Sequence, residues 1–338
     1  MLFHHRFFVF FIVLLGLSVK AWAADPFTIA AITVDAEGET AIEAQTLALQ
    51  DGQLRAANLL IERLTRAQDR AANPAPPLDV ETAASMIRAL DIANERRSSR
   101  RYLGDVTIAF HPARVQQYLQ QNNLTMFSNP SSEYLLVPLW QGSEADADNL
   151  WYQTWQNPDY AHALTPITVG PYVPADTRIS TENLVELGRE RRVQNVLFAT
   201  GRLTSQGGIT LDLTNVDVTS GGQQSLGRFN ANDMPNVARQ AVSALEENWK
   251  SARLTRTAQA ITRPLTVLYS SHQEWLNIRN IMNNASNIET ARLDALARDG
   301  ALMTLTYSGE LSGLARELSF KGLTLEQDPT TGLILSSR

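Results

Sequence analysis

At 338 residues the chain exceeds one ordinary domain, so two or three are expected. A hydrophobic fraction of 44% suffices for packed cores and argues against wholesale disorder. The net charge of −6 disfavours nucleic acid and anionic membrane surface as partners, and the absence of cysteine excludes disulfides, thiol nucleophiles and thiolate metal sites.

The N-terminus reads as a secretory leader. His4, His5 and Arg6 precede an apolar run from Phe7 to Val19, and Ala21-Trp22-Ala23 gives the small-x-small pattern of a signal peptidase site. Cleavage after Ala23 removes Arg6 and Lys20 and takes the net charge from −6 to −8. The run falls short of the ~20 residues that span a bilayer, which argues against an uncleaved anchor. The expected product is a periplasmic protein with no membrane span after cleavage.

The next stretch, 24–127, reads as an α+β module. Phe27 to Val34 is a strand, and Glu39 to Arg66 is one long helix with alanine and leucine at three- and four-residue spacing. Gly52 is a weak point in that helix, costing ~1 kcal/mol relative to Ala. Asn73 to Pro77 is a linker, Asp79 caps a helix over Val80 to Leu90, Ile92 to Phe110 is a long strand or hairpin, and Ala113 to Gln121 is helical.

The central module, 131–262, is seeded by Tyr134 to Trp140, whose apolar run reads as a buried strand. Pro138 lacks a ladder donor and should sit at an edge or near the strand end. Trp151 and Trp155 lie four apart, on one helix face. Leu164 to Val169 and Pro171 to Pro174 are extended. Thr181 caps a helix through Arg191; Val193 to Leu203, Gly208 to Val218 and Ser225 to Asn230 are strands, and Val237 to Arg256 is an amphipathic helix.

The last module, 264–338, has the order strand, helix, strand, strand, helix, strand of a ferredoxin-like split βαβ unit, with Arg292 to Arg298 also compatible with a helix. The fold class is therefore α+β: a central α/β sheet-and-helix domain flanked by two small α+β modules.

Four stretches stand out in their order: Leu60-Ile-Glu-Arg63-Leu64-Thr65, Val106 to Pro112 with the helix to Leu119, Leu135 to Trp140 with the Trp151 to Trp155 helix, and the helix ending in Trp249. In these the layout resembles an uncharacterised family of exported bacterial proteins, catalogued as domain of unknown function 2066. The resemblance covers roughly 25–255 and implies export, without bringing an activity, ligand or catalytic residue.

Candidate sites are few. Arg96, Arg97, Arg100 and Arg101 cluster around two serines and form a candidate binding surface for phosphate, lipid headgroups or a carboxylate-bearing glycan; the competing reading is a solvent face or hairpin tip. Glu144, Asp146, Asp148 and Asn149 have oxygens two apart but lack the glycine and distal glutamate of a calcium loop. His111, His162 and His272 are scattered, without metal-ligand spacing. Neither a nucleophile elbow nor a phosphate-cradling loop is present, so no catalytic residue, cofactor or metal is assigned.

These observations favour a non-catalytic binding or scaffold protein in envelope assembly or maintenance, whose partner is another envelope protein. The alternative is an exported hydrolase acting on envelope glycan or peptide through a carboxylate pair, since such pairs need no fixed sequence spacing. Cell fractionation should place a soluble, shortened protein in the periplasm. Full-length protein retained in carbonate-washed membranes would contradict the export reading.

Overall fold

The computed structural model describes residues 25–338 except 145, 258–259, 284, 286, 329–331 and 338. The leader expected over 1–23 lies outside the described residues. Within them the fold is mixed α+β, with nine α-helices and three sheets of three, five and five strands.

The first sheet has the order β1-β3-β2, all antiparallel, from β1 (Thr28–Glu37), β2 (Ile87–Arg97) and β3 (Arg101–Phe110). Helix α1 (Ala41–Leu64) starts where the Thr40 hydroxyl accepts a hydrogen bond from the Glu43 amide, and packs on this sheet. Gly52 is the reason it lies close. A Cβ there would come within 2.5 Å of Val34 Cγ1 and 3.2 Å of Val106 Cγ2. The helix gives up intrinsic propensity at this position for contact with the sheet.

Short helices α2 (Ala67–Ala72), α3 (Val80–Met86) and α4 (Pro112–Gln121) complete the module. The sequence carries α3 to Leu90, but the structure ends it at Met86. Ile87 and Leu90 instead pair with Phe110 and Ile108 in the hairpin. Cross-strand pairing outweighs weak helical propensity in a segment this short.

The central sheet has the order β5-β4-β6-β7-β8. Its strands are β4 (Tyr134–Trp140), β5 (Ile167–Val169), β6 (Asn195–Leu203), β7 (Ile209–Asp217) and β8 (Gln223–Ala231). Strand β4 runs parallel to both neighbours; the rest pair antiparallel. Pro138 therefore lies in an interior strand, yet costs little. The Leu136 carbonyl accepts from Gly170 on the β5 side, so Pro138, two residues on, presents its nitrogen to the same side, and β5 pairing has already ended at Val169.

Helices α5 (Ala147–Trp155) and α7 (Met234–Thr257) cover one face of this sheet, and α6 (Thr181–Arg191) covers the other. Trp140, Trp151 and Trp155 are buried between α5 and the sheet, with adjacent ring centroids 5.8 and 5.4 Å apart. The Trp151 indole N–H donates to the Ala199 carbonyl at 3.1 Å. The indoles are core, not an exposed binding surface.

The last sheet, β10-β11-β9-β13-β12, is formed by β9 (Ile261–Leu268), β10 (Ile288–Leu296), β11 (Gly300–Tyr307), β12 (Leu323–Asp328) and β13 (Gly332–Ser337). Helices α8 (His272–Asn283) and α9 (Leu311–Phe320) connect them. This unit departs from the six-element split βαβ pattern. The chain turns back after β12, and β13 inserts between β12 and β9, parallel to β9. The segment compatible with a helix is strand as far as Leu296.

Buried charge joins the first two modules. Arg63, 7% exposed near the end of α1, donates to the Thr28 carbonyl and to Asp159, both at 2.6 Å, and lies 4.0 Å from Glu246 on α7. Lys250, 1% exposed, donates to the carbonyls of Glu62 and Thr65 and to Glu247. An ammonium at the α1 C-terminus complements its negative pole. Burial raises the Glu246 carboxyl pKa against the pull of Arg63 and Lys250, and burial lowers that of Lys250. On the other side of the central module, buried Glu317 of α9 accepts from Ser132 and Asn287, and Arg253 of α7 pairs with Glu289 at 3.0 Å.

Among the described residues no helix is long and apolar enough to cross a membrane. The core assignment is testable. Trp151→Ala should cost ~3 to 5 kcal/mol of central-module stability, whereas Arg96→Ala on the exposed hairpin should shift it by less than ~0.5 kcal/mol. Denaturant unfolding followed by tryptophan fluorescence distinguishes the two.

Candidate functional site

An apolar concavity runs along α6, and its parts follow from the local sequence. The cap of α6 is Ser180 rather than the expected Thr181, which is already helical; Ser180 and Asn183 form a reciprocal capping box, because only from that position does a hydroxyl reach the Asn183 amide. Leu184 and Val185 pack against Leu135, Val137, Val196 and Val216 of the sheet. At Gly188 an added Cβ would fall 2.4 Å from Val218 Cγ2, so this turn can sit directly on the strands.

The opposite wall is the proline-rich stretch after β5. Because β5 has only three residues, the chain leaves the ladder early and 170–176 follows the flank of β4. Gly170 donates to the Leu136 carbonyl at 2.7 Å and Asp176 to the Trp140 carbonyl at 3.0 Å. Asp148, in the first turn of α5, ties the wall down by accepting from the Tyr172 hydroxyl and, at 3.2 Å, from the Ala175 amide. The Tyr172 bond holds the Asp148 carboxyl below its ordinary range and pushes the Tyr172 hydroxyl up. Tyr152 packs edge-on against Tyr172 with centroids 5.5 Å apart and donates to the Gly170 carbonyl.

Between helix and wall lies a groove of about 480 Å³. Val137 and Leu184 form its floor, Pro171, Val173, Pro174, Ile179 and Leu187 its apolar sides, and Asn183, Glu186, Glu190 and Arg178 contribute polar groups. It opens near the carboxyl ends of parallel strands β4 and β5, where the chain passes outward from β4 to β5 and then returns to β6. Crevices at such reversals are preferred ligand positions in open α/β sheets.

The chemistry available is shape and apolar contact with a few hydrogen-bonding groups. Glu186 and Glu190 lie one turn apart on the same exposed helix face, so they do not oppose one another across a bond as a hydrolytic pair must. Among the described residues no three His, Cys, Asp or Glu groups are placed to hold a metal ion.

The arginines singled out from sequence belong to the tip of the β2–β3 hairpin in the first module. Arg97 pairs with Glu95 at 2.9 Å, Arg101 grips Asp35 through two bonds of 2.8 and 2.6 Å, and the Arg100 Nε donates to the Gly38 carbonyl. Arg101 holds the Asp35 carboxyl below its ordinary value. Arg96 is exposed, with no partner among the described residues. These guanidiniums do not line the groove.

The acidic loop serves structure: Glu144 accepts from the Trp140 indole at 2.9 Å, and Asp148 anchors the wall. His162 accepts from the Asp25 amide, and burial lowers its pKa; His111 sits at the cap position of α4. The groove's extended prolines and its helix are readable in sequence, but their convergence is not.

No protein-family model matches the chain, and no curated protein matches it. Among solved structures it is similar to the PelC L103M dodecamer from Paraburkholderia phytofirmans over 36% of this chain and 92% of that one, at 15% identity and a TM-score of 0.23. It is also similar to TolB from Acinetobacter baumannii over 40% of this chain and 33% of that one, at 15% identity and a TM-score of 0.22.

The wall's anchoring can be tested directly. Asp148→Asn should speed amide exchange at Ala175 by roughly tenfold or more at neutral pH while leaving the global unfolding midpoint in place. Because the carboxyl is held below its ordinary range, its tie is complete at neutral pH and is lost as pH falls through the lowered value. Hydrogen exchange read residue by residue checks this; unchanged exchange at Ala175 would show that Asp148 is not the anchor.

Proposed function

We propose that the chain is an exported, non-catalytic binding protein of the bacterial cell envelope, acting in envelope assembly or maintenance, and that the α6 groove takes an extended apolar segment of a partner protein. The groove is the observation that carries the reading. It is apolar at its base, polar at its margin, and walled by a backbone already fixed by prolines and by Asp148. A pre-fixed wall reduces the ordering cost of binding. The secretory-leader pattern at the N-terminus, together with the resemblance to an exported family, supports the location.

A photo-crosslinking amino acid at Leu187, installed in cells, tests this. The expected result is a discrete adduct with one envelope protein, lost when Val173→Asp places a charge in the groove. Absence of any adduct, together with hydrolysis of purified cell-wall material by the purified protein, would instead favour the hydrolase reading.

A further inference from the structure

A second concavity, of about 620 Å³, lies where the C-terminus of α6 meets the turn between α9 and β12. It is lined by Arg189 and Arg192 from the central module, and by Ser319, Phe320, Lys321 and Gly322 from the last module. Three cations therefore converge from two modules distant in sequence.

Helix termini explain only part of this charge. Both α6 and α9 end at the cleft, and each contributes roughly half a negative charge at its C-terminus. Two such poles offset about one of the three cations. Nearby acids do not remove the surplus from the arginines. Asp217 lies 4.0 Å from Arg316, outside the cleft lining, and Glu317 is engaged with Ser132 and Asn287 while acting on Lys321. Among the described residues neither Arg189 nor Arg192 has an acidic partner. Arg192 also occupies a left-handed position, φ 57°, at the end of α6, where glycine is the usual residue. Burial lowers the Lys321 pKa, so an anion beside it would restore the charged form.

We propose that this inter-module cleft binds a phosphate ester, with Arg189 and Arg192 as the guanidinium forks and Lys321, on which Glu317 also acts, as a point charge. Phe320 supplies an apolar surface for the organic part of the ester. The cleft falls in the size range of small-ligand pockets, and two guanidiniums suit bidentate recognition of phosphate oxygens. The site is separate from the α6 groove and does not depend on its function.

Calorimetric titration of the full chain with sn-glycerol 3-phosphate, and co-sedimentation with phosphatidylcholine vesicles containing phosphatidic acid, test the proposal and distinguish its two sources. Binding of the soluble ester that weakens at least about tenfold in the Arg189→Ser/Arg192→Ser double variant supports a soluble ligand. Vesicle binding alone, with the same loss, supports a lipid headgroup. Failure of both probes to bind, or equal binding by the variant, overturns the proposal. If circular dichroism shows that the serine variant is unfolded, Arg189→Lys/Arg192→Lys decides: intermediate affinity supports the forks, and unchanged affinity overturns them.

Discussion

A buried arginine sets the relation between the first two modules. Arg63 reaches out of α1 to a backbone carbonyl of β1, to Asp159 after α5, and toward Glu246 on α7. Each partner belongs to a different element, and none can move far without leaving charge unpaired in a poorly solvated place. Such pairs are weak evidence for stability, because desolvation offsets much of their attraction. Their effect here is on arrangement. Slippage between the modules would expose one acid and strand another, whereas an apolar junction would tolerate a range of packings. Lys250 adds a second constraint by closing the end of α1 from α7.

That junction leaves the two faces of the central sheet with different tasks. The face under α5 and α7 carries the indoles and the contacts to α1. The face under α6 is free of them and holds a smaller aliphatic core. A helix on this second face, held close by Gly188 and bordered by an edge strand of three residues, leaves space beside it. The groove results from a strand that stops early: a longer β5 would have filled it with ladder.

Much of the architecture was legible because it is written in local patterns. The spacing of Trp151 and Trp155, the apolar run of β4, and the glycine turns around β7 each report an element without help from distant residues. The mixed α+β class follows from their order. What was not legible depends on pairing at long range. The sequence carries Arg63 inside a helix pattern, but nothing nearby marks it as buried, since its acids lie at 159 and 246. Residues 87–90 look helical until their hairpin partners are known. The place of β13, between β12 and β9, is invisible to a reading that takes elements one at a time. The arginine cluster at 96–101 was conspicuous because its members are adjacent, whereas Arg189, Arg192 and Lys321 are far apart and meet only in the folded chain.

The scarcity of lysine has a practical consequence. The described residues contain two, Lys250 and Lys321. Lys250 is 1% exposed and its ammonium is held by three oxygen acceptors, so an acylating reagent cannot approach it in the folded state. Lys321 is half-buried at the cleft, and its lowered pKa leaves more of the unprotonated amine that such reagents attack. Of these two side chains, amine-directed labelling of the native protein is therefore selective for one. A dye or spin probe can be attached at the meeting point of the second and third modules without engineering a cysteine.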